Sequence, residues 1–264
     1  MLQIILAVIS GAAVGFTLGL IGGGGSILAT PLMLYVVGLK PHEAIGTGAL
    51  AVSANAFVNF AGHARKGNVR WKSAIIFAIL GILGAIGGST LGKAFDGKKL
   101  LFLFAILMII VGILMLRRKP APQGVDGGVQ AETLDVATAI KVCVAALIVG
   151  ALSGFFGIGG GFLIVPGLLF STGMPMIFAI GSSLLSVGTF GLTTAVNYAT
   201  SGLVDWGVAI EFILGGVAGG VLGTMLAVGL ASKRAALNRI FAGLVFVVAI
   251  YMLYKNAASF GIHF

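Results

Sequence analysis

Residues 15–31 read Gly-Phe-Thr-Leu-Gly-Leu-Ile-Gly-Gly-Gly-Gly-Ser-Ile-Leu-Ala-Thr-Pro, and residues 150–166 read Gly-Ala-Leu-Ser-Gly-Phe-Phe-Gly-Ile-Gly-Gly-Gly-Phe-Leu-Ile-Val-Pro. Displaced by 135 residues, the chain matches itself without a gap: Gly15 falls on Gly150, Gly19 on Gly154, Gly22 on Gly157, Gly24 on Gly159 and Pro31 on Pro166. Further along, Trp71 falls on Trp206 and Gly84 on Gly219. The chain is a duplicated unit. Secondary transporters are built from such repeats and place their substrate site where the copies meet.

The repeated unit belongs in a membrane. Of 264 residues, 59% are apolar and 9% charged, with a mean hydropathy of +1.15, more apolar surface than one soluble domain can bury. Runs near 2–22, 43–62, 73–95, 99–116, 136–157, 176–198, 207–230 and 236–255 approach the ~20 residues a helix needs to cross the hydrocarbon core. They are continuously apolar, without the two-residue alternation of barrel strands, so the expected fold is an all-α polytopic bundle. The net charge of +9 lies in short clusters between apolar spans, which marks orientation rather than nucleic-acid binding. Cys143 lies in an apolar run and reads as a small buried hydrophobe. The start Met1-Leu2-Gln3 lacks a basic region and a cleavage site, so the first apolar run reads as a retained helix. No cofactor or metal is expected, because no His or Cys cluster has ligand spacing.

Equivalent loops carry unequal charge. Between Gly62 and Ser73 lie His63, Arg65, Lys66, Arg70 and Lys72, whereas Asn197 to Gly207 carries only Asp205. Lys and Arg stay cytoplasmic, so the first loop is expected inside and its twin outside. Arg117, Arg118 and Lys119 place the end of the first copy inside; Lys233, Arg234 and Arg239 mark a second inside loop and leave the C-terminus periplasmic. Lys93, Lys98 and Lys99, offset by Asp96, run against this scheme. The expected organisation is repeat 1 over 1–116, a cytoplasmic linker over 117–135 and repeat 2 over 136–264, as one membrane domain. Antiparallel copies need an odd number of elements each. The stretches Ser26 to Gly38 and Phe162 to Gly173, ~20 Å long at ~1.5 Å per residue, are too short to span and supply the fifth element as half-helices. The repeats are therefore expected to have inverted topology.

Four consecutive glycines, Gly22, Gly23, Gly24 and Gly25, cannot be ordinary helix interior, where each costs about 1 kcal/mol relative to Ala. Gly159, Gly160 and Gly161 form the second break. Broken backbone survives at membrane depth only when buried in protein or lining a wet cavity. Helices restarting near Ser26 and Phe162 would present unpaired N–H groups, and two such ends converging would suit an anion. A helix end contributes only about 0.3–2 kcal/mol, so side chains must add hydrogen bonds. The candidates are Ser26, Thr47, Asn55 and Asn59 in copy one and Ser182, Ser183 and Ser186 in copy two, with Ser53, Thr189, Thr193 and Thr194 nearby. Hydroxyls that only back-bond to their own helix are the plainer alternative. Gly84, Gly88, Gly92 and Gly215, Gly219, Gly223, spaced by four, read as packing glycines. Glu211, within an apolar run, is the candidate for proton coupling, against a plain interfacial carboxylate. His42 and Glu43 read as helix-start residues, and Arg239 as a snorkelling cation, with attraction of the substrate as its alternative role.

The run Gly15 to Pro31, with its second copy through Gly157, Gly159, Gly160, Gly161 and Pro166, resembles the TauE/SafE family of sulfite and organosulfonate exporters. Ala44 to Gly48, Ala179 to Leu184, Gly67 to Trp71 and Gly202 to Trp206 are similar to further motifs of that family. Gly48 stands where the family pattern prefers Ser, and Arg70 where it often has Asp. The resemblance implies export of sulfite, sulfoacetate or a related small anion such as thiosulfate from a bacterial cytoplasm across the inner membrane. The expected partners are the small anion and membrane lipid; a homo-oligomer is left open. The competing readings are an anion channel with the same site and a membrane-embedded enzyme. The enzyme lacks a nucleophile with a partnered His, a carboxylate pair and metal-spaced ligands.

Overall fold

The computed structural model describes residues 1–21, 23–117, 136–157, 159, 161–229 and 234–256. They form α1 (Leu2–Ile21), a 3₁₀ segment (Gly23–Leu28), α2 (Ala29–Tyr35), α3 (Pro41–Arg65), α4 (Trp71–Ala94), α5 (Gly97–Arg117), α6 (Val136–Phe156), α7 (Gly161–Thr172), α8 (Met176–Ala199), α9 (Trp206–Gly229) and α10 (Arg234–Asn256). No strand occurs among the described residues. Among the described residues, seven helices, α1, α3, α4, α5, α6, α8 and α9, are long and apolar enough to cross a membrane. Apart from the 3₁₀ segment, both halves of the chain run through the same order of elements. The proposed linker, apart from Arg117, and Lys233 fall outside the described residues.

Apolar runs give the helices; polar residues set their ends. α3 begins at Pro41, whose fixed φ suits the first helical position and whose missing N–H is not needed there. Glu43 accepts the Lys40 N–H at 3.4 Å and pairs with its ammonium at 3.7 Å, the expected helix-start role. The half-helices differ from expectation in one copy. The α-helix in copy one starts at Ala29, not Ser26, because Gly23 to Gly25 run directly into a 3₁₀ segment. Glycine's weak α preference and the slimmer 3₁₀ geometry let this backbone press onto α1. In copy two α7 starts at Gly161 and carries Pro166 inside it.

Packing follows the glycines. A Cβ on Gly215, Gly219 or Gly223 would fall on the carbonyl of Val8, Ala12 or Phe16, and one on Gly11, Gly15 or Gly19 on that of Phe212, Gly216 or Gly220. α1 and α9 therefore run parallel, backbone against backbone. Their counterparts do the same. Gly84, Gly88 and Gly92 meet Leu147, Ala151 and Phe155, while Gly150 and Gly154 meet Gly81 and Ala85. The twin helices α3 and α8 instead run antiparallel: Gly46 faces Tyr198, Gly191 faces Ala49 and Ser53, and Gly181 faces His63. They cross where Ser53 donates its hydroxyl to the Gly188 carbonyl at 2.7 Å, two residues at equivalent repeat positions. At the ends of this crossing the copies cap one another. Thr47 Oγ1 accepts the Asp205 N–H at 2.9 Å, and Ser182 Oγ accepts the Arg70 N–H at 2.9 Å.

Gly150→Leu is expected to destabilise the α4–α6 pair by about 3 kcal/mol or more, the upper range of overpacking, while Gly87→Ala, where a Cβ meets nothing within 4 Å, is expected to keep or slightly raise the melting temperature of detergent-purified protein. Thr47→Val and Ser182→Ala each strand a loop N–H and are expected to cost about 1–2 kcal/mol. The same thermal melts read this loss, with the double variant close to the sum of the two.

Candidate functional site

The two chain breaks are brought to one place. In copy one the 3₁₀ segment folds back on α1, so that a Cβ on Gly25 would meet Thr17 and the Leu18 nitrogen. In copy two Gly157 and Gly159 take φ of +67° and +63°, conformations that cost an L side chain roughly 1–2 kcal/mol. A Cβ on Gly157 would run into Ile45, and one on Gly159 would lie 3.1 Å from Val52 of α3 and 3.4 Å from Val187 of α8. Val52 and Val187 each precede a partner of the Ser53–Gly188 bond. The second break is thus threaded beside the crossing of α3 and α8. The 3₁₀ segment packs against α7, so the two interrupted stretches touch. Gly23 and Gly24 lie in that segment and Gly161 starts α7; Gly22 and Gly160 fall outside the described residues.

The polar candidates divide by what they already bond. Thr47 and Ser182 accept the capping N–H groups described above. Ser183 Oγ donates to its own helix at Ile180 O, 2.8 Å. Asn59 Nδ2 donates to Asn55 O at 2.8 Å, and its Oδ1 accepts from Thr224 Oγ1 at 3.3 Å. Thr189 and Thr193 also back-bond, to Ser186 O and Thr189 O. Ser26 is fully buried. Asn55 stands apart: it is 0% exposed, and both its Oδ1 and its Nδ2 lack a partner. Its amide lies over Gly216, where a Cβ would collide with it. Ser186 Oγ is likewise buried and unpaired.

Some site residues were not singled out from sequence. Ser153, one turn before Gly157, and Thr30, beside Pro31, each bury an unpaired hydroxyl. Ser153 is the only hydroxyl in its glycine-rich run, a signal the sequence did contain. Thr30 faces Gly48 across α2 and α3, which only the fold reveals. Thr194 Oγ1 and the Tyr198 hydroxyl are also buried without a partner. Glu211 is half-buried with Oε2 enclosed and without a partner, but it lies in the second turn of α9, away from the crossing.

A buried polar group left unpaired costs about 1–3 kcal/mol, and native proteins keep few of them. Asn55 on α3 and Ser186 on α8, the two helices that cross beside the second break, are two of these few. Asn55, Ser186, Ser153 and Thr30 are uncharged. No cluster able to hold a metal ion occurs among the described residues.

Comparison with known proteins agrees with a membrane transporter. The family profile described as "Sulfite exporter TauE/SafE" matches residues 7–252. A probable membrane transporter protein of Xylella fastidiosa (strain 9a5c) is 56% identical over 259 residues, 97% of each chain. The probable membrane transporter protein YunE of Bacillus subtilis is 28% identical over 243 residues, covering 85% of this chain and 89% of that protein. No solved structure gives a significant match. With its apolar helices, its paired glycine breaks and a family match over nearly its whole length, the chain belongs to the TauE/SafE sulfite exporter family of membrane transporters.

Proposed function

We propose that this protein is a secondary transporter that exports a small sulfur oxyanion or organosulfonate, such as sulfite or sulfoacetate, across the bacterial inner membrane by alternating access. The observation that carries this reading is the meeting of the two interrupted segments beside the α3–α8 crossing, whose two helices bury the unpartnered polar atoms of Asn55 and Ser186. The antiparallel run of the twin helices α3 and α8 supports repeats of inverted topology around that centre, the arrangement in which transporters hold a solute at the midplane. The Arg65–Lys72 loop supports a cytoplasmic location for the joined ends of α3 and α4, with the linker on the same side and the C-terminus periplasmic.

The energetics need no coupling ion. An anion leaving a negative-inside cell gains about 2.3 kcal/mol per charge per 100 mV. Export can run downhill as uniport. Neutral donors also fit this task, because a carrier must release what it binds.

Purified protein is expected to show a saturable rise in melting temperature with sulfite or sulfoacetate that exceeds the response to equimolar sulfate. In proteoliposomes, unlabelled substrate on the far side is expected to accelerate labelled uptake; a channel with the same site would show no such acceleration. Ser186→Ala is expected to weaken binding about tenfold, the loss of one hydrogen bond to a charged group. Unchanged affinity in Ser186→Ala and Asn55→Leu together would remove this site.

A further inference from the structure

The repeat gives every seam between helices a twin, and two twins have diverged. On the α3–α9 seam, Asn55 lies over Gly216, and Asn59 continues toward Thr224. At the equivalent positions of the α4–α8 seam, Phe190 lies over Gly81 and stacks on Phe77 with ring centroids 6.3 Å apart. The same backbone contact thus carries an unpartnered amide in one copy and an aromatic plug in the other. Asn55 is fully buried with both amide atoms unbonded, whereas Phe190 and Phe77 are fully buried side chains with no polar atom.

The ends of the seams differ as well. Beyond Phe190, Asn197 Nδ2 donates to Ser89 Oγ at 2.6 Å and to Thr90 Oγ1 at 3.0 Å. Lys93 Nζ donates to the Asn197 carbonyl at 2.7 Å and to Ser201 Oγ at 2.9 Å. This network fastens α4 to α8. The twin seam cannot repeat it: the equivalents of Asn197, Thr90 and Lys93 are Gly62, Met225 and Val228, none of which carries a hydrogen-bonding side chain. There the Thr224 hydroxyl approaches Asn59 Oδ1 at 3.3 Å while also lying 2.8 Å from the Gly220 carbonyl of its own helix.

We propose that the twin seams are the two gates of the transporter, unequally fastened: the α4–α8 gate is shut by the Phe77–Phe190 plug and bolted by Lys93, Asn197 and Ser89, while the α3–α9 seam is the side from which the anion reaches the Asn55 amide. The inference rests on the alternating-access reading above. Substrate enters along α3–α9, and passage to the other face requires the bolt to part. A fastening present on one gate alone biases the resting protein toward the conformation accessible through the other.

The test places Ser89→Cys and Asn197→Cys together in a Cys143→Ser background and oxidises the pair in proteoliposomes. Sulfoacetate is the probe, because sulfite cleaves disulfides. Oxidation is expected to cut counterflow more than tenfold and reduction to restore it, which also shows that the variant is folded. The oxidised protein is expected to keep the sulfoacetate-induced thermal shift, through the α3–α9 side. Lys93→Met is expected to raise the half-saturation concentration several-fold on that side, since the conformation accessible there loses population. Counterflow by the oxidised pair within twofold of the reduced protein overturns the gate, and loss of binding on oxidation overturns the assigned side of entry. Half-saturation unchanged in Lys93→Met overturns the bolt. Absence of sulfonate counterflow in the wild type removes the transporter reading itself, and the gates with it.

Discussion

Backbone-on-backbone contact between parallel helices is the constraint from which the rest of this fold follows. In lipid, helices gain little from burying apolar side chains against each other, so close approach and weak Cα–H···O contacts must hold them. Gly215, Gly219 and Gly223 against Val8, Ala12 and Phe16, and Gly84, Gly88 and Gly92 against Leu147, Ala151 and Phe155, provide that approach once per turn. Each pair joins a first helix of one copy to a fourth helix of the other. Neither copy can form its best contact alone.

Once α1 and α6 are locked in this way, the chain that leaves them has to turn back inside the bundle. Its broken backbone then needs protein partners, because hydrocarbon offers none. Gly25 is packed against Thr17 and Leu18, and Gly159 between Val52 and Val187, so both lie against protein and not lipid. The same pressure accounts for Thr47 and Ser182, whose hydroxyls satisfy the loop N–H groups of the opposite copy. Duplication preserves these backbone duties while side chains at twin positions diverge, as Asn55 and Phe190 or His63 and Tyr198 do.

Much of this was legible in the residues. The apolar runs located the long helices to within a few residues, and glycines spaced by four announced the tight pairs. The start of α2 was misplaced by three residues, since glycine runs state that an α-helix is disfavoured without saying which geometry replaces it. Ser183 shows why polar residues alone do not define a site. It sits three residues before Ser186 on the same helix, yet Ser183 back-bonds to Ile180 and Ser186 bonds nothing.

What the sequence by itself determined is whatever a segment must do regardless of its neighbours. A run of some twenty apolar residues in lipid has to satisfy its own peptide groups and becomes a helix, and a run of glycines has to interrupt one. The tertiary structure alone decided which hydroxyls find a protein partner and which do not, and which way twin helices run past each other. Those outcomes depend on partners 112 residues apart for Arg70 and Ser182 and 158 apart for Thr47 and Asp205. No local preference reaches that far, because a hydrogen bond is fixed by position in space and not by order along the chain.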